Sequence, residues 1–225
     1  MQKNCNFQTH LKYNFLLKLF KILSITVTSL LLIVISFLHY QQFPIYEWEF
    51  ILEYIKDNRQ KEDFNSIATK LGYNENDKLL IIHADDVGLS KSVNESTFES
   101  FKNNSITSAA IIMNTYEMEE GLKFAVENPN FDFGVHLTVT SEWKYHKWGG
   151  ILDKAKTPSL HNSFNNFYWN KRKFVKNADL NEIKMELQAQ ISLAKSMGLK
   201  PSHIDSHEGA LFFDPNIFKI YIDLA

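Results

Sequence analysis

The chain has 225 residues, 44% hydrophobic and 22% charged, which is ordinary globular material, long enough for one sizeable core and unlike a disordered segment. A net charge of −2 excludes the basic footprint that nucleic-acid binding requires, and a single cysteine, Cys5, excludes an internal disulfide or a cysteine-based metal cluster. Charge is unevenly spread: residues 1–46 carry four lysines and no acid, which leaves 20 of the 24 basic residues to face all 26 acidic ones downstream.

Residues 22–38 run for 17 positions without a charge. With Lys18 and Lys21 able to snorkel, a helix here crosses a hydrocarbon core about 30 Å thick, and a transmembrane signal anchor is expected over residues 19–42. A cleaved signal peptide is the competing reading. It calls for an apolar region of about 7–15 residues and small residues at a cleavage site, whereas His39-Tyr40-Gln41-Gln42-Phe43 follow here. The lysines precede the apolar run, so the positive-inside bias puts residues 1–18 in the cytoplasm and everything after about residue 42 outside it. Residues 43–78 read as a helical spacer. Phe50, Ile51, Tyr54 and Ile55, then Phe64, Ile67, Ala68 and Leu71, line one helical face before Gly72.

Leu79-Leu80-Ile81-Ile82, followed by His83-Ala84-Asp85-Asp86, reads as a strand buried on both faces that ends in two carboxylates. Ser92 with Glu95 forms a capping-box pattern that opens a helix through about Asn103. A second buried strand is expected over 108–113, a helix over 116–127 ending before Pro129, and a third strand over 131–138. An excursion rich in aromatics occupies 141–169. Asp179 and Glu182 then cap a helix with Leu180, Ile183, Leu187, Ile191 and Ala194 at helical spacing, stopped by Gly198. A fourth strand follows over 202–206 and a last helix starts near Pro215. Alternating strands and helices predict α/β architecture with parallel βαβ units. A (β/α)8 barrel takes about 250 residues, so the four visible strands read as a smaller open sheet or as a barrel cut short.

The chemistry lies at the ends of those strands. His203, Asp205 and His207 alternate and share one side of a strand, His136 closes the third strand and Asp85-Asp86 the first. A parallel sheet gathers all of them at its carboxyl-terminal mouth. Adjacent carboxylates repel unless a cation neutralises them. Two histidines and one carboxylate make a metal site with open positions, hydrolytic or oxygenase in kind, and the second carboxylate can take a proton from the attacking water. The residues alone leave the two aspartates interchangeable. An iron oxygenase, for which His203-Ile204-Asp205 fits a facial triad, would require an all-β fold. Of the other histidines, His83 is read as a group orienting the acids, His146 as a possible neighbour of substrate, and His10, His39 and His161 as structural. Aromatic faces stack on sugar rings, which makes Trp143 and Trp148 of the excursion candidate substrate contacts; the alternative is that these aromatics only cover the barrel's edge.

Three segments resemble a known family. His83-Ala84-Asp85-Asp86-Val87-Gly88-Leu89-Ser90, then Gly134-Val135-His136-Leu137-Thr138, then Pro201-Ser202-His203-Ile204-Asp205-Ser206-His207 are similar, in order, to the motifs of the YdjC/ChbG-type carbohydrate deacetylases. Thr140-Ser141-Glu142-Trp143-Lys144 with Trp148-Gly149 resembles a bacterial branch described as polysaccharide deacetylases. The resemblance implies that residues 79–225 are the N-terminal part of a distorted (β/α) barrel that removes N-acetyl groups from amino-sugar oligosaccharides or polysaccharides with a divalent metal ion, Mg2+ or Zn2+. It implies Asp86, His136 and His207 as metal ligands and Asp85 as the general base. Protonated Asp85 or His203 is the proton donor to the leaving amine; otherwise His203, with Asp205 and His83, orients its neighbours, the role favoured for it. Two departures stand out. Glu208-Gly209-Ala210 replaces further histidines found in many members, and family members continue past the point matching Ala225. The second departure motivates the alternative of a non-catalytic, degenerate, membrane-anchored glycan-binding relative.

Overall fold

The computed structural model describes residues 3–40 and 65–225, which belong to two units, Met1–Glu62 and Asp63–Ala225. In the first unit, α1 spans Lys3–Tyr40. Its stretch Lys18–Ser36 is the one described helix long and apolar enough to cross a membrane, and every described side chain there is exposed. The hydroxyls of Thr26 and Thr28 donate to the carbonyls of Ile22 and Ser24, so they disturb the apolar surface little. Most of the expected spacer, residues 43–64, lies outside the described residues; the described remainder includes a short helix, α2 (Asn65–Lys70).

The second unit continues with β1 (His83–Val87), α3 (Lys91–Lys102), β2 (Ser108–Ile111), α4 (Met118–Glu127) and β3 (Asp132–Leu137). After the excursion come α5 (Lys171–Asn177), α6 (Leu180–Ser196), β4 (Ile204–Ser206) and α7 (Pro215–Leu224). All strand pairs are parallel and the spatial order is β1-β2-β3-β4. This is α/β architecture, not the all-β fold that an oxygenase triad demands. The sequential order matches a run of barrel strands and differs from a doubly wound sheet, in which the order reverses.

The strands are two-faced. Ala109, Ile111, Phe133, Val135 and Leu137 are buried at 3% exposure or less and form one core with Phe101, Leu122, Ile183, Leu187 and Ile191 of the helices. The alternate positions, His83, Ser108, Gly134, His136 and Asp205, make a small or polar face. Gly134 lies so close to the His203 ring that a Cβ there would force the ring to move.

Two expectations change. The aliphatic run at 79–82 is not a buried strand: Leu79, Leu80, Ile81 and Ile82 are 47, 75, 76 and 45% exposed, and β1 begins at His83. Ile82 pairs with Thr107 and Ser108 at the start of β2; the residues before it lie ahead of the point where β2 begins and have no strand partner among the described residues. Helix α3 starts at Lys91, not after Ser92, because the hydroxyl of Ser90 accepts from the amide of Val93 and caps it. The cap at Asp179 stands as expected, accepting from the amides of Asn181 and Glu182.

Two buried side chains of α6 hold the excursion and the residue that follows β3. Glu186 accepts from the amides of Ile151 and Leu152 at 2.8 and 2.9 Å. Gln190 pairs with both backbone groups of Thr138, at 3.0 and 2.8 Å, as a neighbouring strand would. Removing the fully buried Glu186 carboxylate takes the acceptor from the amides of Ile151 and Leu152 and from Gln190 Nε2. Glu186→Ala is therefore expected to lower unfolding stability by about 3 kcal/mol, read as a shifted denaturation midpoint; an unchanged midpoint would show that the excursion is anchored elsewhere.

Candidate functional site

In a regular strand adjacent side chains point to opposite faces, so neighbouring aspartates cannot both serve one site. Here β1 carries a bulge between Ala84 and Val87, and Asp86 adopts a left-handed backbone with φ of 63°. The extra residue turns Asp86 toward the polar face that His83 and Asp85 already share. Asp86 Oδ1 lies 3.2 Å from His136 Nε2 and 3.0 Å from His207 Nδ1, and those two nitrogens are 3.2 Å apart. His136 comes from the end of β3 and His207 from the residue after β4. Glu208 and Gly209, with φ of 53° and 64°, then turn the chain away.

Each histidine has a carboxylate behind it. Asp205, which pairs with His136 across the β3–β4 register, places Oδ1 2.6 Å from His136 Nδ1. Glu142 Oε2 sits 2.8 Å from His207 Nε2. His136 and His207 are 2 and 3% exposed. Burial opposes their positive charge, but the carboxylates outweigh it: Asp205 and Asp86 push His136 up to about 9, and Asp86 and Glu142 push His207 up to about 10. Burial likewise opposes the charge of Asp86, yet the two imidazoles hold its carboxyl well below the usual carboxylate range. Burial, reinforced by the charge of Glu142, raises Glu208.

Of the residues singled out in the sequence, Asp86, His136 and His207 are brought together, and Asp205 and His83 stand behind them. Asp205 Oδ2 lies 3.0 Å from His83 Nε2, whose other nitrogen meets the Ser108 hydroxyl at 2.9 Å. Asp85 is 63% exposed and approaches the same face, its Oδ1 3.4 Å from His83 Nε2. His203 is not brought to the triad. It lies two residues before Asp205, about 7 Å back along the strand, with Nδ1 against Ser202 and a buried Nε2 that has no partner among the described residues. His83 is the histidine beside Asp85. Trp148 is 4% exposed and meets His207 edge-on at 5.6 Å, whereas Trp143 is half exposed. His161 is a satisfied structural histidine, bonded to Thr157 and Gly150. Glu142 has no role by residue type or spacing in the sequence; it lies just beyond the strand that carries His136, between buried Ser141 and half-exposed Trp143.

The donor set fits a small divalent ion. Donors spaced 3.0–3.2 Å apart are near enough that all three could bind one ion at the usual length of about 2.1 Å. One carboxylate and two imidazoles suit zinc and similar metals. Two protons on the histidines and one divalent ion carry the same charge, so exchanging them preserves the balance with the surrounding carboxylates.

A family model described as YdjC-like protein matches residues 79–225. Among curated proteins, the chain is similar to a carbohydrate deacetylase from Geobacillus stearothermophilus, 34% identical over 64% of this chain and 55% of that protein. It is also similar to carbohydrate deacetylases from Clostridium beijerinckii, 31% identical over 65% of this chain and 56% of that protein, and Thermoanaerobacter pseudethanolicus, 33% identical over 66% and 57%. A crystal structure of an Enterococcus faecalis V583 protein named for cellobiose-phosphate cleavage superposes with a TM-score of 0.58 at 29% identity, covering 64% of this chain and 54% of that one. The chain thus spans about half the length of the curated relatives it matches.

The raised histidines set a pH dependence. Their folded values, about 9 and about 10, exceed the ordinary 6.5, so their contribution to stability is complete below pH 6.5 and is lost as pH rises through 9 and 10. The melting temperature of the chelator-treated protein is expected to fall across that window. Calorimetry near neutral pH in buffers of different ionisation enthalpy should register release of about two protons per metal ion bound. A flat melting profile and no proton release would mean that the histidines are neutral in the metal-free protein.

Proposed function

The chain belongs to the YdjC-like family, and on that premise we propose that it is a metal-dependent carbohydrate deacetylase, a hydrolase acting on the N-acetyl groups of amino-sugar oligosaccharides or polysaccharides. The observation that carries this reading is the triangle of Asp86 Oδ1, His136 Nε2 and His207 Nδ1, each edge 3.0–3.2 Å, within residues that match proteins named carbohydrate deacetylase. In it, these three residues hold the divalent ion, Mg2+ or Zn2+. Bound there, the ion supplies a Lewis acid for the amide carbonyl and lowers the pKa of the attacking water.

The chain's own groups do the rest. Asp85, largely exposed, takes the proton of the attacking water and returns it to the leaving amine. We assign that return to Asp85 and not to His203, because His203 is set back along the strand against Gly134. Asp205 holds the proton on His136 Nδ1 and thereby keeps Nε2 free as a donor of electrons. Trp143 offers an open ring to the sugar, and Trp148 walls the site beside His207.

The same reading takes residues 79–225 as the N-terminal part of a distorted (β/α) barrel, and residues 43–78 as a spacer. It makes residues 19–42 a signal anchor with residues 1–18 cytoplasmic and the catalytic part outside. The length and apolar character of Lys18–Ser36 support the anchor, and the lysines before it support the orientation.

The test is acetate release from N-acetylglucosamine oligosaccharides by the full chain in detergent, loaded with Zn2+ or Mg2+. His136→Ala and His207→Ala should lose metal binding. Asp85→Asn should keep the metal and lose turnover by about 100-fold or more. Full turnover in Asp85→Asn would overturn the base assignment. Metal binding without acetate release from any such substrate would favour the glycan-binding relative instead.

A further inference from the structure

We infer that Glu142 is a positioning residue for the metal centre: its carboxylate accepts the Nε2–H of His207 and so commits Nδ1 of that ring to the triangle. The inference rests on the metal-dependent reading above and deepens it. An imidazole offers either nitrogen, and the hydrogen bond made by the other decides which. The two histidines here use opposite ones. His136 turns Nε2 inward because Asp205 takes Nδ1 at 2.6 Å. His207 turns Nδ1 inward, 3.0 Å from Asp86 and 3.2 Å from His136 Nε2, while Nε2 faces Glu142 Oε2 at 2.8 Å. A half-turn of the His207 ring about Cβ–Cγ would put carbon Cδ2 where Nδ1 now stands and break the triangle.

The contact is built, not incidental. His207 is 3% exposed, so an Nε2–H without Glu142 would be left buried with no acceptor, and this is unlike a surface ion pair of negligible worth. The residue before Glu142 is held by three hydrogen bonds. Ser141, fully buried, donates its amide to the Tyr168 carbonyl at 2.9 Å. Its hydroxyl accepts from the Trp148 amide at 3.0 Å, and its carbonyl accepts from Lys147 Nζ at 2.6 Å. Trp148 in turn packs edge-on against the His207 ring. The excursion therefore supplies both the carboxylate that orients His207 and the indole that confines it, which gives its first residues a part in assembling the centre.

The test is metal affinity, independent of turnover. The full chain in detergent, stripped with chelator, is titrated with Zn2+ against a chromophoric chelator for wild type, Glu142→Ala, Glu142→Gln and His207→Ala. Glu142→Ala should bind zinc about 10–100-fold more weakly, and Glu142→Gln should recover part of the loss, since its amide oxygen accepts the same proton. Side-chain 15N shifts of the zinc-loaded protein should place the His207 proton on Nε2 in the wild type and in Glu142→Gln. Zinc binding by Glu142→Ala as tight as wild type, with His207→Ala unable to bind, would overturn the role of Glu142 and leave the metal centre standing. Equal binding by wild type and His207→Ala would remove the metal centre itself. If Glu142→Ala does not fold, Glu142→Gln carries the test through its 15N shifts: a His207 proton on Nδ1 refutes the inference.

Discussion

Two imidazoles buried with their ring centroids 5.2 Å apart are tolerable neighbours only if carboxylates neutralise them, and the rest of the site follows from that requirement. Three carboxylates meet the four ring nitrogens, and each arrives by a different structural device. Asp86 comes from a strand bulge and a left-handed residue, Asp205 from the parallel register that sets it beside His136, and Glu142 from a loop pinned at Ser141. No single element could deliver all three, because a strand presents only every second residue to one face.

The same requirement explains why the sheet is two-faced. Strands in a parallel sheet covered by helices on both sides read as continuous apolar runs. Here the helices cover one face only, through Phe133, Val135 and Leu137 on β3, and the other face is given to Ser108, Gly134, His136 and Asp205. Gly134 and the His203 ring share one space, so small and polar residues pack together without an apolar filling. The excursion is tied back to α6 through Glu186, and Thr138 through Gln190; the anchoring of Thr138 next to Leu137 extends the order of β3 into the loop that carries Glu142.

Much of this was legible in the sequence, for physical reasons that can be named. The order of strands and helices follows from short apolar runs separated by capped helices, and Asp179 caps α6 as its pattern implies. The triad was legible because alternation places His203, Asp205 and His207 on one side and the parallel sheet gathers strand ends. What failed was direction and extent. The run at 79–82 has a strand's composition, but composition does not reveal where its partner begins, and β2 begins too late to pair with it. Alternation put His203 on the correct face but could not show that it lies a strand pitch behind the triad. The bulge that separates the roles of Asp85 and Asp86 leaves no mark in residue type, which is why the two aspartates were interchangeable on paper.

Glu142 was invisible for a different reason. Its contact with His207 spans 65 positions and depends on loop geometry, for which no periodicity exists. Asp205 could be found by alternation from His207, whereas Glu142 follows from electrostatic necessity once His207 is known to be buried. A buried imidazole whose inner nitrogen faces Asp86 needs an acceptor at its outer nitrogen, and in a parallel sheet that acceptor must come from a loop at the carboxyl end of a strand, since the strands themselves point their side chains across the face and not over it. The segment after β3 is the loop of that kind nearest His136, and its first carboxylate is Glu142. Burial and the pairing rule together thus locate a residue that neither motif spacing nor helical or strand period could have reached.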